Sequence, residues 1–180
     1  MQTTQQPETS ILANSKLQEF LGDQLRDIYW VEQKLVMTLP KLEEAAHSPE
    51  LKQALNSHLQ ETKNHVSRLE RIFDMIDVPT GTRKCPAMAG IVEESEAIID
   101  ETEDNPAVRD VGIIFAGQKA EHYEIATYGG LLQLARTLGY DDAAELLGVT
   151  LAEEKKADRT LTCIAENGVN AQAKEEVKED

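Results

Sequence analysis

Glu61-Thr62-Lys63-Asn64-His65 sits inside a run of regularly spaced apolar positions from Leu51 to Ile76. Leu51, Ala54, Leu55, His58, Thr62, Leu69 and Ile72 line the inner side of one helix, and Glu61 and His65 join them. A carboxylate and an imidazole four residues apart on a helix point the same way. Three other segments with helical periodicity each carry acid among their core-facing leucines: Glu32, then Glu121 with Glu124, then Glu154 with Asp158. A buried acid is costly unless something compensates its lost hydration. A bound pair of metal ions compensates all of them at once.

Outward from that stretch, the composition suits helices packed on helices. Of 180 residues, 41% are hydrophobic but only 4% aromatic, so the core is aliphatic. The formal net charge of −15 repels phosphate backbones and anionic bilayers, so no nucleic-acid partner is expected. No apolar run approaches the roughly 18 residues of a membrane span, and no membrane association is expected. The N-terminus lacks the basic-then-apolar pattern of a secretory signal. Cys85 and Cys163 form no CxxC pair and read as reduced thiols, which points to a cytoplasmic location.

Residues 1–9 are Gln/Thr-rich and read as disordered, residues 10–167 as one bundle, and residues 168–180 as an acidic flexible tail. Leu17, Leu21, Ile28, Glu32, Leu35, Leu39 and Leu42 mark the first helix, with Pro40 predicting a kink near Val36 or a break. Ser48-Pro49-Glu50 starts the second helix with a cap, a first-turn proline and an acid at the positive end of the dipole. Pro79 and Gly81 end it. A long connection follows, with one amphipathic patch from Met88 to Ile99. Asn105-Pro106 starts the third long helix, which ends near Gly139, and Asp141 starts the fourth, with Gly168 as its C-terminal glycine. The fold class is therefore all-α: four long helices in two hairpins, joined by a crossover that carries a short helix.

Antiparallel packing brings the mid-helix residues of all four helices to one level. His58, one turn before Glu61, is the rival histidine and reads as core or as a support to the ligands. Glu153 competes with the adjacent Glu154 for the inward position, and the phase of Leu147, Leu151 and Leu161 favours Glu154. Tyr128 reads as core or as a hydrogen-bond donor to the site. Iron or manganese suits four to six carboxylate oxygens and an imidazole better than zinc or copper does. Bridging carboxylates accommodate two ions about 3.5–4 Å apart.

The runs HLQETKNHVSRLE (58–70), AEHYEIATYGGLLQLARTLG (120–139) and LAEEKKADRTLT (151–162) resemble the YciF-like stress-protein family of the ferritin-like superfamily. The resemblance extends over about residues 14–167 and includes KCPAMAG in the crossover. It implies a ferritin-like four-helix bundle, a dimetal site, a homodimer and a part in bacterial stress responses. It also implies Glu32, Glu61, His65, Glu121, Glu154 and Asp158 as metal ligands, with Glu124 as an extra candidate. The chain departs from the usual Glu-x-x-His pairs, because His65 follows Glu61 at four residues and Asp158 stands where a second histidine would.

Three functions follow as expectations. One is oxidoreductase chemistry with peroxide or oxygen at two iron or manganese ions, fed by an external electron donor because no flavin, haem or rubredoxin-like motif is present. The second is metal binding without turnover. The third is a non-enzymatic helical module whose buried acids pair with Lys or Arg.

Overall fold

The computed structural model describes residues 15–175. Five helices of four turns or more follow in order: α1 (Lys16–Ala45), α2 (Pro49–Met75), α3 (Pro86–Glu101), α4 (Pro106–Thr137) and α5 (Asp141–Ile164). Among the described residues there is no strand. The long helices α1, α2, α4 and α5 form the bundle, and α3 is the short helix of the crossover.

Local chemistry sets the helix boundaries. Ser15 caps α1 by accepting from Gln18 N, and Ser48 caps α2 by accepting from Leu51 N. Pro49, Pro86 and Pro106 occupy the first turns of α2, α3 and α4, where a missing N–H costs nothing. Gly139, at φ 78°, turns the chain between α4 and α5. Of the kink or break expected at Pro40, the break does not occur, and α1 runs continuously through Pro40. Leu39 and Leu42, on either side of the proline, are both 5% exposed, and their burial holds the last turns in place.

Asp110 settles how the two hairpins meet. It lies in the first turns of α4, is 1% exposed, and accepts from His47 N at 2.6 Å and Ser48 N at 2.7 Å. The start of α4 is thereby tied to the turn between α1 and α2. The crossover therefore traverses the bundle, and α3 lies on α4 and along α1. Lys41–Glu96 and Lys119–Glu94 ion pairs tie it to both neighbours. Gly112 allows the close approach of α3, since a Cβ there would collide with Ile98 Cγ2.

The core is aliphatic, as composition requires. Leu25, Ile28, Val31, Leu51 and Met88 are fully buried, each aliphatic side chain contributing about 1.5–3 kcal/mol. The C-terminal end differs from a plain tail. After α5 the chain makes a π-helical turn (Ala165–Val169), bends at Gly168, and continues as α6 (Asn170–Glu175) against α4. Val169, 4% exposed, anchors that turn in the core. The expectation for residues 1–9 lies outside the described residues, as do residues 10–14 and 176–180. Among the described residues no helix is long and apolar enough to cross a membrane.

Candidate metal centre

Glu32, Glu121, Glu124 and Glu154 converge in the middle of the bundle, none more than 4% exposed. His65, fully buried, and His58, 8% exposed, reach the same place from α2. Two groups of potential ligand atoms result. One is His58, Glu121, Glu124 and Glu154; the other is Glu32, His65 and Glu154; within each group the atoms lie within 4.8 Å of one another.

Glu154 joins the groups. Its Oε1 is 2.9 Å from His65 Nδ1, and its Oε2 is 3.8 Å from His58 Nε2. One carboxylate thus presents one oxygen to each imidazole. The sequence left open whether Glu153 or Glu154 faces inward, and Glu154 does. Glu153 takes the other side of His65. His65 Nε2 donates to Glu153 Oε2 at 2.9 Å, and Arg68 holds that carboxylate through Nη1 at 2.8 Å. Arg68 also donates to Thr150 Oγ1 at 2.6 Å. This chain fixes the ring so that Nδ1 faces the interior.

Glu32 accepts a hydrogen bond from the Tyr128 hydroxyl and lies 3.5 Å from His65 Nδ1. Tyr128, left between core and donor by the sequence, is both: fully buried and bonded to a site carboxylate. His58 Nε2 lies 3.3 Å from Glu121 Oε1.

The structure does not bring every sequence-derived candidate into these groups. Glu61 stands at the edge, its side chain 26% exposed, bound to Lys156 Nζ at 2.9 Å and 3.8 Å from His58 Nδ1. Asp158, 21% exposed, faces Gln118 and His122 at 3.3 Å. Helix geometry accounts for both. At 100° per residue His58 and His65 are displaced by only about 20°, whereas Glu61 lies about 60° from His58. Asp158 is similarly rotated about 40° from Glu154 and lies a turn along the axis. The seven-residue spacing of His58 and His65 was the signal that would have promoted His58.

The electrostatics are those of an acid cluster held by two imidazoles. Burial alone would lower the His58 pKa, but Glu121, Glu61 and Glu154 raise it to about 9. Burial likewise opposes charge on His65, and Glu154 and Glu32 raise it to about 10. Burial, then the neighbouring carboxylates, pushes Glu124 well above the carboxylate range. Burial also drives Glu121 well up, with His58 opposing. For Glu154, burial works upward, yet the two imidazoles hold it below its ordinary value. His58 first, then Lys156, lowers Glu61 to about 2 against partial burial.

Even so, the cluster is not satisfied from within. Among the described residues, both oxygens of Glu124, Glu32 Oε2 and Glu121 Oε2 lack a hydrogen-bond partner. Buried polar atoms are normally paired. Among the described residues, no lysine or arginine reaches Glu32, Glu121, Glu124 or Glu154 within ion-pair distance. Hard oxygen donors with imidazole, unpartnered and converging, fit a cation-binding site.

An all-α bundle with a buried carboxylate–histidine centre is the class that fold and site define. A family model described as a domain of unknown function, DUF892, matches residues 16–174, and the protein belongs to that family. It is 44% identical over 150 residues to the protein YciF of Escherichia coli strain K12, covering 83% of this chain and 90% of that one. The crystal structure of the E. coli stress protein YciF superposes with a TM-score of 0.81 at 42% identity, covering 86% of this chain and 97% of that one. YcfI from Rhodopseudomonas palustris superposes with a TM-score of 0.77 at 35% identity, covering 85% and 96%. The fold and the resemblance read from the sequence are thus both borne out.

Proposed function

We propose that the protein is a ferritin-like dimetal carboxylate protein of bacterial stress physiology, holding two iron or manganese ions. The observation that carries this reading is Glu154, whose two oxygens face separate imidazoles and belong to both ligand groups. Glu32, His65 and Glu154 would hold one ion, and His58, Glu121, Glu124 and Glu154 the other. Glu61 and Asp158, ligands by resemblance, would act from the rim, Glu61 by orienting His58 through Nδ1. When bound, the metal pair supplies the electrons for reaction with peroxide or oxygen. The chain supplies the Glu153–Arg68 anchor for His65 and the Tyr128 hydroxyl on Glu32. Reducing equivalents would come from an external donor, and the working unit would be a cytoplasmic homodimer. Both cysteines are free, with Cys85 buried and Cys163 exposed, which agrees with a reducing compartment.

The reading of the buried acids as partners of Lys or Arg in an interaction module finds no support in the cluster, where among the described residues the basic groups that approach them are imidazoles. The test is to titrate chelator-stripped protein with ferrous iron, measure bound iron by elemental analysis, and follow peroxide. Two ions per chain with metal-dependent peroxide loss are expected. Binding without peroxide loss would leave a metal-binding protein without turnover, and no binding would remove the proposal.

A further inference from the structure

The bundle interior beside the carboxylates is not filled. A cavity of about 340 Å³ begins at Glu121, Glu124 and His58 and runs toward the end of the bundle where α1 ends and α2 begins. Its walls are apolar, with Leu39, Leu42, Leu55, Met88, Val92 and Leu161 among them. It reaches the surface at Gln53, Ser57 and Lys156, between the first half of α2 and the second half of α5.

Protein cores are close-packed and leave few voids larger than a water molecule. This space is roughly ten times the 30 Å³ share of one water in the liquid. It falls within the range of small-molecule sites, which combine apolar walls with a few polar groups. Water alone fills apolar walls poorly, since each molecule needs two to four polar partners.

The geometry points to a site for one neutral aliphatic amphiphile, its chain along the leucine and methionine walls and its hydroxyl end at Glu124. Glu124 is 1% exposed and neither of its oxygens has a partner, so it offers a buried acceptor at the closed end. An anionic head group is disfavoured. Glu50, Glu61, Glu121 and Glu124 all line the cavity, and its two cationic groups are already engaged, Lys156 by Glu61 at 2.9 Å and His58 by Glu121 at 3.3 Å. This inference does not require the metal reading, because wall, volume and acceptor are features of the chain alone.

The test is isothermal titration of the full-length, chelator-treated protein with n-butanol, n-hexanol and n-octanol. One octanol per chain is expected, with affinity rising about fourfold per methylene along the series. Octanoate should bind at least about tenfold more weakly than octanol, because its charge would be buried among carboxylates with no free counter-ion, His58 being engaged by Glu121. Ala54→Leu and Ala157→Leu place a larger side chain in the cavity, away from the carboxylate cluster. Each should weaken octanol binding at least about tenfold by occupying its volume, with thermal unfolding unchanged or higher. Octanol binding that does not saturate, or that both variants retain, overturns the site. Octanoate binding as well as octanol overturns the neutral head group. Iron bound by the same variants after reloading with ferrous iron, measured separately, distinguishes a failure here from a failure of the metal assignment.

Discussion

Replacing Glu124 with methionine should make the metal-free protein more stable. Glu124 is fully buried in α4, and neither of its oxygens is hydrogen-bonded. Each unsatisfied buried polar group costs about 1–3 kcal/mol, and replacing buried ionic groups with apolar ones of similar volume often stabilises by about 1–4 kcal/mol. Glu124→Met keeps the length of the side chain and removes the cost of burying a carboxyl among Glu154, Glu32 and Glu121, the groups that push its pKa up after burial itself. A gain of about 1–3 kcal/mol at roughly 2–4 °C per kcal/mol raises Tm by about 2–12 °C. Metal offsets most or all of that gain. A ligand at a thousand times its Kd stabilises by about 4 kcal/mol, so a hundredfold loss of affinity removes about 2.7 kcal/mol of that. Scanning calorimetry in EDTA and in saturating manganese reads both effects. A variant no more stable than the parent in EDTA, with an undiminished manganese shift, would refute the reasoning on both counts.

Four further outcomes follow from the same geometry. Glu153→Gln weakens the anchor on His65 Nε2, and metal affinity should fall about 10–100-fold by chelator competition while helicity is kept. Both imidazoles have pKa values above the ordinary 6.5, at about 9 and about 10. Their contribution to metal-free stability is therefore complete below about pH 6.5 and lost as pH rises through 9–10; urea midpoints in EDTA across that window should fall. The same shifts mean that metal binding at pH 7 releases both imidazolium protons, which calorimetry in buffers of different ionisation enthalpy counts. Asp110→Ala leaves His47 N and Ser48 N without their acceptor and should cost about 2–4 kcal/mol in urea unfolding, with metal content unchanged.

The bundle was legible because its signals are local. Ser48-Pro49 and Asn105-Pro106 mark helix starts, Gly139 marks a turn, and the leucine spacing gives the faces. The acids Glu32, Glu121, Glu124 and Glu154 were legible for the same reason: each breaks an apolar stripe. The histidines were harder. The four-residue spacing of Glu61 and His65 is as good a helical neighbour relation as any, but which side of a helix faces inward depends on how it is rotated against its partners. Here the line His58–Thr62–His65–Leu69 is buried, and Glu61 falls beside it. The role of Glu153 as the anchor of His65 depends on Arg68 and Thr150, which meet it only across helices. The cavity had no sequence signature at all, since it consists of what the side chains fail to fill. The end of α5 was misjudged because Gly168 bends the chain without ending it, and Val169 returns to the core.

Cys85 stands at the N-cap of α3, 2% exposed, its sulfur 3.0 Å from the Tyr123 hydroxyl. Tyr123 donates to Asp27 Oδ2 at 2.7 Å, so its single proton is committed and the thiol donates to the phenol oxygen. The basic residues Arg83 and Lys84 beside it do not turn this sulfur into an exposed nucleophile, because thiol reactivity requires access as well as charge. Oxidants and alkylating reagents in solution meet Cys163 first. One of the protein's two sulfurs is thus locked behind a phenol, and the other lies on its skin as the sulfur that is spent.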